Sequence, residues 1–334
     1  MSQQTLNWGL LSTARINRAL IPPLNASKRT SLRAVASRSE STARDFAREH
    51  HIPRAYGSYE ALLADPEIDV IYNPLPNHLH AEWTIKALRA GKHVLCEKPI
   101  ACTLAEVDAM IAAAKETGKV LAEAFMYRSH PQTMKVKEMV DKGEIGQLQL
   151  IKGAFTFIMR REGDFRLVKE MGGGSIWDVG CYPISFARMI VGTEPTEVFG
   201  WQVKDQGGCD VSFFGQMRFA KGVHAEFDSG LQSPLRSFIE IVGSEAVIEI
   251  PVPFKPGLKA QFQIRRVGNK NKIETIHVPG PELYLGEVED MCDAILLGAP
   301  PRISLADSRA NTATILALLE SAETGKPVKT NSEV

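Results

Sequence analysis

The sequence has no excess of either charge. Its 39 lysines and arginines are matched by 39 aspartates and glutamates, for a formal net charge of zero. Proteins that grip nucleic acid by its phosphates usually carry a basic surplus, so no nucleic-acid partner is expected. Long hydrophobic runs are also missing. The apolar stretches are strand-length, short of the roughly 20 residues of a membrane span, and no membrane association is expected. Met1-Ser2-Gln3-Gln4-Thr5 shows no cationic region followed by an apolar run, which predicts no signal peptide and a cytoplasmic location. Cysteine is sparse. Cys96, Cys102, Cys181, Cys209 and Cys292 are scattered, odd in number and without a CxxC pair or zinc-ligand spacing. Reduced thiols are expected, and no structural metal. Internal repeats and low-complexity segments are absent as well.

What is present is a chain of 334 residues, too long for one ordinary core and suited to two domains. In its first part, short apolar runs alternate with amphipathic stretches. Leu6 to Leu11, Leu32 to Ser37, Ile68 to Asn73, His93 to Glu97 and Val120 to Ala124 read as strands. Ala14 to Leu24, Thr42 to His50, His78 to Ala90 and Leu104 to Thr117 read as helices between them. Such alternation predicts βαβ units and a parallel sheet buried on both faces. After about residue 125 the texture becomes that of half-exposed strands. They begin at Gln147 to Ile158 and continue with Glu197 to Val203, Val211 to Phe219, Val223 to Ser229, Ser237 to Ile241, Ala246 to Ile250, Lys259 to Val267 and Ile273 to Val278. Two helices follow, Gly286 to Leu297 and Ser304 to Thr324.

The pattern assigns residues 1–125 to a Rossmann domain, an α/β fold with a doubly wound parallel sheet. Residues 126–334 form an α+β substrate-binding and oligomerisation domain with a large open, mainly antiparallel sheet, and the late helices are expected to pack back on the first domain. Too few helices follow the strands to cover both faces of that sheet. A homodimer or dimer of dimers is therefore expected to cover the open face.

The first strand runs into Gly9-Leu10-Leu11-Ser12-Thr13-Ala14 and then a helix. This is the position of a phosphate-binding turn, with Ser12 and Ala14 where the usual pattern has glycine. Small residues let backbone N–H groups approach a pyrophosphate, which makes Gly9, Ser12, Thr13 and Ala14 candidate cofactor contacts. A tight strand-to-helix turn without a ligand reads the same way. The second strand ends Ser37-Arg38-Ser39, where an NAD-selective site has an acidic residue. Hydroxyls and a guanidinium suit a 2′-phosphate, so Ser37 and Arg38 point to NADP, with NAD possible. A solvated surface arginine is the alternative for Arg38. Pro74-Leu75-Pro76-Asn77 fixes an extended loop at the end of the third strand. Pro76, Asn77 and His80 are candidate cofactor contacts, and Asn77 is equally suited to cap the next helix. His78 and His80 have no carboxylate or cysteine partner nearby, so no metal is expected.

Two constellations carry chemistry. Glu97-Lys98-Pro99 closes the strand His93 to Glu97 and places Lys98 on the same sheet edge as the phosphate turn. Glu97 is a candidate cofactor contact. Lys98 can hydrogen-bond a substrate hydroxyl and supply positive charge beside a nicotinamide. The second constellation is Gly172-Gly173-Gly174-Ser175-Ile176-Trp177-Asp178-Val179-Gly180-Cys181-Tyr182. The glycines permit close backbone approach to a ligand. Asp178 and Tyr182, four apart, share one face of a short helix. A cation beside Tyr182 lowers its pKa, fitting it to exchange a proton as an alcohol loses hydride. Asp178 can bind a neighbouring hydroxyl, or form a capping box with Ser175. Tyr182 can also be read as a core aromatic with one polar tip. Phe157, Arg166 and Trp177 are candidates to line the pocket or to serve the fold.

On these residues, the chain resembles the Gfo/Idh/MocA family of oxidoreductases. The matching features are the Gly9 to Ala14 turn, Pro76-Asn77, Glu97-Lys98-Pro99 and the Asp178/Tyr182 pair, and the resemblance spans essentially the whole chain. It implies hydride transfer between a nicotinamide cofactor and a hydroxyl or carbonyl carbon. It also implies a catalytic group of Lys98, Asp178 and Tyr182. Tyrosine rather than histidine at the last position is similar to glucose–fructose oxidoreductase, dimeric dihydrodiol dehydrogenases and some xylose dehydrogenases. The implied substrate is a sugar or sugar-like polyol, with an aromatic trans-dihydrodiol as the alternative. A non-enzymatic NADP-sensing regulator shares the fold, but retention of all three catalytic residues argues against it.

Overall fold

Six short strands in the first part of the chain pair side by side, all parallel. They are β1 (Leu6–Leu11), β2 (Thr30–Ala36), β3 (Arg54–Tyr56), β4 (Val70–Asn73), β5 (His93–Glu97) and β6 (Leu121–Ala124), in the order β3-β2-β1-β4-β5-β6. The structure is a computed structural model and describes residues 5–160, 163–268 and 272–330; Met1 to Gln4, part of the stretch read for a signal peptide, lie outside these. The chain divides into two compact units. One runs to Ser129 and takes in Tyr284–Arg309; the other holds His130–Leu283 and the described residues from Ala310 on.

In the first unit the helices are α1 (Asn17–Ala26), α2 (Glu40–Glu49), α3 (Tyr59–Leu63), α4 (His80–Arg89) and α5 (Leu104–Thr117). The apolar strands follow from burial on both faces. Ile71, Val94, Cys96 and Leu121 pack with Leu62, Trp83, Leu88 and Met110 in one continuous core. Each fully buried large apolar side chain there contributes about 1.5–3 kcal/mol. Thr103 and Glu106 form a reciprocal capping box at the start of α5, and Gly118 ends that helix in the left-handed conformation. β3 and α3 were not expected from the sequence. At three and five residues, they are too short to show a hydrophobic period. The strand order reverses between β1 and β4, the switch point where open α/β sheets bind ligands.

The second unit opens with α6 (Pro131–Asp141), also unexpected, which starts at a proline and is capped by the His130 ring. Next come β7 (Leu148–Ile158), α7 (Cys181–Val191), β8 (Glu197–Lys204), β9 (Asp210–Arg218), β10 (His224–Gly230), β11 (Gln232–Gly243), β12 (Ala246–Ile250), β13 (Gln261–Arg266) and β14 (Ile273–His277). α8 (Leu285–Leu296) belongs to the first unit, α9 (Leu305–Thr324) passes from the first unit into the second, and β15 (Val328–Lys329) is the last strand among the described residues. The sheet has nine strands in the order β14-β13-β12-β11-β7-β10-β9-β8-β15, antiparallel except for the β7–β10 pair. α7 lies so close to its inner face that a Cβ on Gly153 would stand 3.1 Å from Pro183. The outer face carries Trp201 and Phe214, paired across β8 and β9 and 55% and 48% exposed. Among the described residues, no helix is long and apolar enough to cross a membrane.

Candidate active site

The ends of parallel strands gather the first group of candidates on one edge of the six-stranded sheet. At the end of β1, Ser12 takes a φ of +76°, in the left-handed region that glycine normally occupies. Its Oγ accepts from the Ala14 N–H at 3.2 Å, which folds Thr13 and Ala14 into a tight turn. Gly9 does something other than expected. It sits inside β1, fully enclosed, where a Cβ would stand 2.9 Å from Leu62. Its missing side chain makes room for α3, and Ser12 takes the strained position of the turn.

At the end of β2, Ser39 caps α2 and Ser37 ties its N–H to Tyr56. Arg38 is exposed and pairs with no acid among the described residues. At the end of β4, Asn73 is fully buried. It donates to the His80 carbonyl and to Thr84, and accepts from the Leu75 N–H, fixing the loop that leads to Pro76 and Asn77. His80, expected to contact the cofactor, is instead completely enclosed. Its two ring nitrogens lie 2.8 Å from the Pro99 carbonyl and 2.7 Å from the Leu75 carbonyl. Burial, with Lys98 and His78 nearby, lowers its pKa to about 4 against the pull of the two carbonyls, so the neutral ring donates to one of them. His80 is therefore enclosed between two strand-end loops and presents no face to a ligand.

At the end of β5, Glu97 accepts a hydrogen bond from the Tyr72 hydroxyl, and its other oxygen faces the Lys98 N–H at 3.3 Å. Burial, then the charge of Glu97, holds the Tyr72 phenol well above its ordinary pKa, so it acts here as a donor. The Lys98–Pro99 peptide is cis. Beyond it, the Ile100 N–H donates to Glu123 at 2.9 Å, and burial pushes that carboxyl up to about 7. Lys98 is half-buried on a turn thus held from both sides, by Tyr72 through Glu97 and by Glu123 through Ile100.

The second unit holds Asp178 and Tyr182 on one continuous helical run. Asp178 lies in a widened π-type turn, Ile176–Gly180, that leads directly into α7. Such single π-type turns are frequent at functional sites. The capping box, the alternative reading of Asp178, is absent. Ser175 is itself helical, and its hydroxyl donates to Asp210 of β9 at 2.6 Å. The same Asp210 oxygen accepts from the Ile176 N–H at 2.9 Å, so the cap comes from a distant strand. Burial raises the Asp210 pKa to about 6, against the pull of these hydrogen bonds.

Two of the three glycines also serve packing. A Cβ on Gly173 would meet the Arg166 and Val168 carbonyls at 2.7 and 2.8 Å, and one on Gly174 would meet Asp210 at 2.2 Å. Gly173 and Gly174 seat the chain's own 164–168 segment and the Asp210 cap. That segment delivers Arg166, whose Nε lies 3.0 Å from Asp178 and whose Nη1 reaches Asp164 at 3.1 Å. Burial opposes the guanidinium charge, but Asp178 and Asp164 outweigh it and raise its pKa. Tyr182, 4% exposed, has its ring 5.3 Å from Phe155 and 5.4 Å from Phe254. Among the described residues, no cluster of histidine, cysteine, aspartate and glutamate could hold a metal ion.

A six-stranded parallel sheet with its candidate residues at the strand C-termini defines a dinucleotide-binding domain, and the chain is an oxidoreductase. Residues 6–125 match the model of an oxidoreductase family with an NAD-binding Rossmann fold, and residues 133–249 match the GFO/IDH/MocA C-terminal domain. The chain belongs to the GFO/IDH/MocA family. It is similar to D-xylose 1-dehydrogenase (NADP(+)) 2 of Haloferax volcanii, 35% identical over 96% of this chain and 99% of that one. It is also similar to trans-1,2-dihydrobenzene-1,2-diol dehydrogenase of Xenopus laevis, 31% identical over 90% and 93%. Among solved structures it resembles KijD10, a 3-ketoreductase from Actinomadura kijaniata in complex with NADP and TDP-benzene. There the TM-score is 0.89 and identity 30%, over 95% of this chain and 98% of that one.

Proposed function

We propose that this chain is an NADP-dependent oxidoreductase acting on a hydroxyl or carbonyl carbon of a sugar or sugar-like polyol. The observation that carries this reading is Lys98 at the C-terminal edge of the Rossmann sheet, on a turn braced by Tyr72, Glu97 and Glu123. The NADP-linked xylose dehydrogenase, matched over nearly the full length of both chains, supports the choice of reaction and substrate class. The left-handed turn at Ser12 and the unpaired Arg38 fit the pyrophosphate and 2′-phosphate of NADP, with Thr13, Ala14, Ser37, Pro76, Asn77 and Glu97 as further contacts. When bound, the nicotinamide supplies or takes up the hydride.

The chain's own residues handle the proton and the orientation. Tyr182 acts as the acid/base, giving its hydroxyl proton to the oxygen in reduction and taking it back in oxidation. Lys98 binds that oxygen and, by its positive charge, favours the phenolate in oxidation. Asp178, with one oxygen fixed by Arg166, accepts a hydrogen bond from a neighbouring substrate hydroxyl. The five free cysteines suit a reducing compartment, and we read the enzyme as cytoplasmic.

A trans-dihydrodiol is the second reading, supported by the similarity to the trans-1,2-dihydrobenzene-1,2-diol dehydrogenase, matched over 90% of this chain. Absorbance at 340 nm, with NADP and a panel of aldoses, polyols and trans-dihydrodiols, decides between them. Turnover of an aldose or polyol is the expected result; turnover of dihydrodiols alone selects the second reading, and turnover of neither defeats both.

A further inference from the structure

The left-handed conformation of Ser12 is strained for any residue with a side chain, so something must hold it. The tie comes from Asn17, the first residue of α1. Its Nδ2 donates to the Ser12 carbonyl at 2.8 Å. Asn17 is completely enclosed, and its Oδ1 meets no donor among the described residues. Burying an amide oxygen without a partner costs free energy, and an apolar side chain of similar volume would avoid that cost. What the amide contributes is the bond to Ser12.

We propose that Asn17 is a positioning residue for the dinucleotide, holding Ser12 in the left-handed conformation that the phosphate turn requires. A hydrogen bond here does what a glycine does by having no side chain. This rests on the cofactor reading above. Without the tie, the turn populates relaxed conformations, and the apparent affinity falls with the fraction that remains competent.

The test is a fluorescence titration with NADPH, paired with thermal melts, on wild type, Asn17→Leu, and Asn17→Leu combined with Ser12→Gly. Asn17→Ala takes the place of leucine if the larger side chain prevents folding. The expected result is a melting temperature no lower than wild type for Asn17→Leu, with a Kd for NADPH raised about ten-fold, the scale of one strained left-handed residue. Adding Ser12→Gly, which removes the strain, should bring Kd back to within about three-fold of wild type. Unchanged binding in the single variant overturns the proposal, and so does a loss that glycine at position 12 fails to restore. A wild-type chain that binds no NADPH overturns the cofactor reading and this inference with it. Wild-type binding with an indifferent Asn17→Leu overturns the inference alone.

Discussion

The guanidinium of Arg166 sits 3.0 Å from the carboxylate of Asp178, joining the segment before the triple glycine to the widened turn after it. The pair fixes one Asp178 oxygen and, through Asp164, is itself fixed. Arg166→Ala should lower kcat about ten-fold with NADP binding unchanged, because Asp178 loses its orientation. Arg166→Lys should fall between, keeping the charge but not the planar fork. Steady-state kcat and KM beside an NADPH titration check this; equal kcat in all three proteins would leave Arg166 a purely structural ion pair.

Tyr182→Phe should cut turnover by about 10²–10⁴-fold, the usual contribution of a positioned acid/base, while NADP still binds. Lys98→Met should lose at least as much. The pH profile of oxidation in wild type should require one deprotonated group, and that limb should vanish in Tyr182→Phe. A variant that keeps both its rate and its profile, with hydride transfer rate-limiting, makes Tyr182 a packing residue.

Arg38→Asp should shift preference from NADP towards NAD, since it puts a repelling carboxylate where the 2′-phosphate is expected. Catalytic efficiency measured with both cofactors checks it. A wild type already more efficient with NAD contradicts the role given to Arg38.

Asp210 should leave a pH signature on stability. Its pKa is raised from 3.8 to about 6 in the folded chain, so the folded state holds more protons than the unfolded one between those values. Stability should therefore fall as pH rises through that window and level off above it, by about 3 kcal/mol for this group. Asp210→Asn should flatten that part of the curve. Denaturant melts of both proteins from pH 4 to 7 isolate the difference, and parallel curves would show that Asp210 does not titrate there.

The outer face of the nine-stranded sheet should be covered by a second copy. Trp201 and Phe214 lie side by side on it, both about half exposed. The wild type should sediment as a dimer or larger at micromolar concentration, and Trp201→Glu with Phe214→Glu should release monomer. A monomeric wild type ends the idea.

Local pattern made much of this protein legible. The β5 strand and the α5 helix fall at the expected residues because both carry strong punctuation: Gly91 before β5, a capping box and a closing glycine around α5. Lys98 could be placed on a sheet edge because Pro99 and a buried strand fix where the chain turns. The chain's alternating texture likewise announces a parallel sheet followed by an open one. What sequence could not supply was the partner of each group. Gly9 looks like a phosphate-turn glycine, yet the methyl it lacks would strike Leu62, 53 residues away. His80 reads as a ligand contact until two carbonyls, from Leu75 and Pro99, close on its ring. Ser175 and Asp178 have the spacing of a capping box, but Asp210 reaches the turn first from another strand. The physical reason is common to all three. Periodicity and turn chemistry act over a few residues and are written in order along the chain. Steric exclusion, burial and hydrogen-bond satisfaction act between surfaces that only folding brings together.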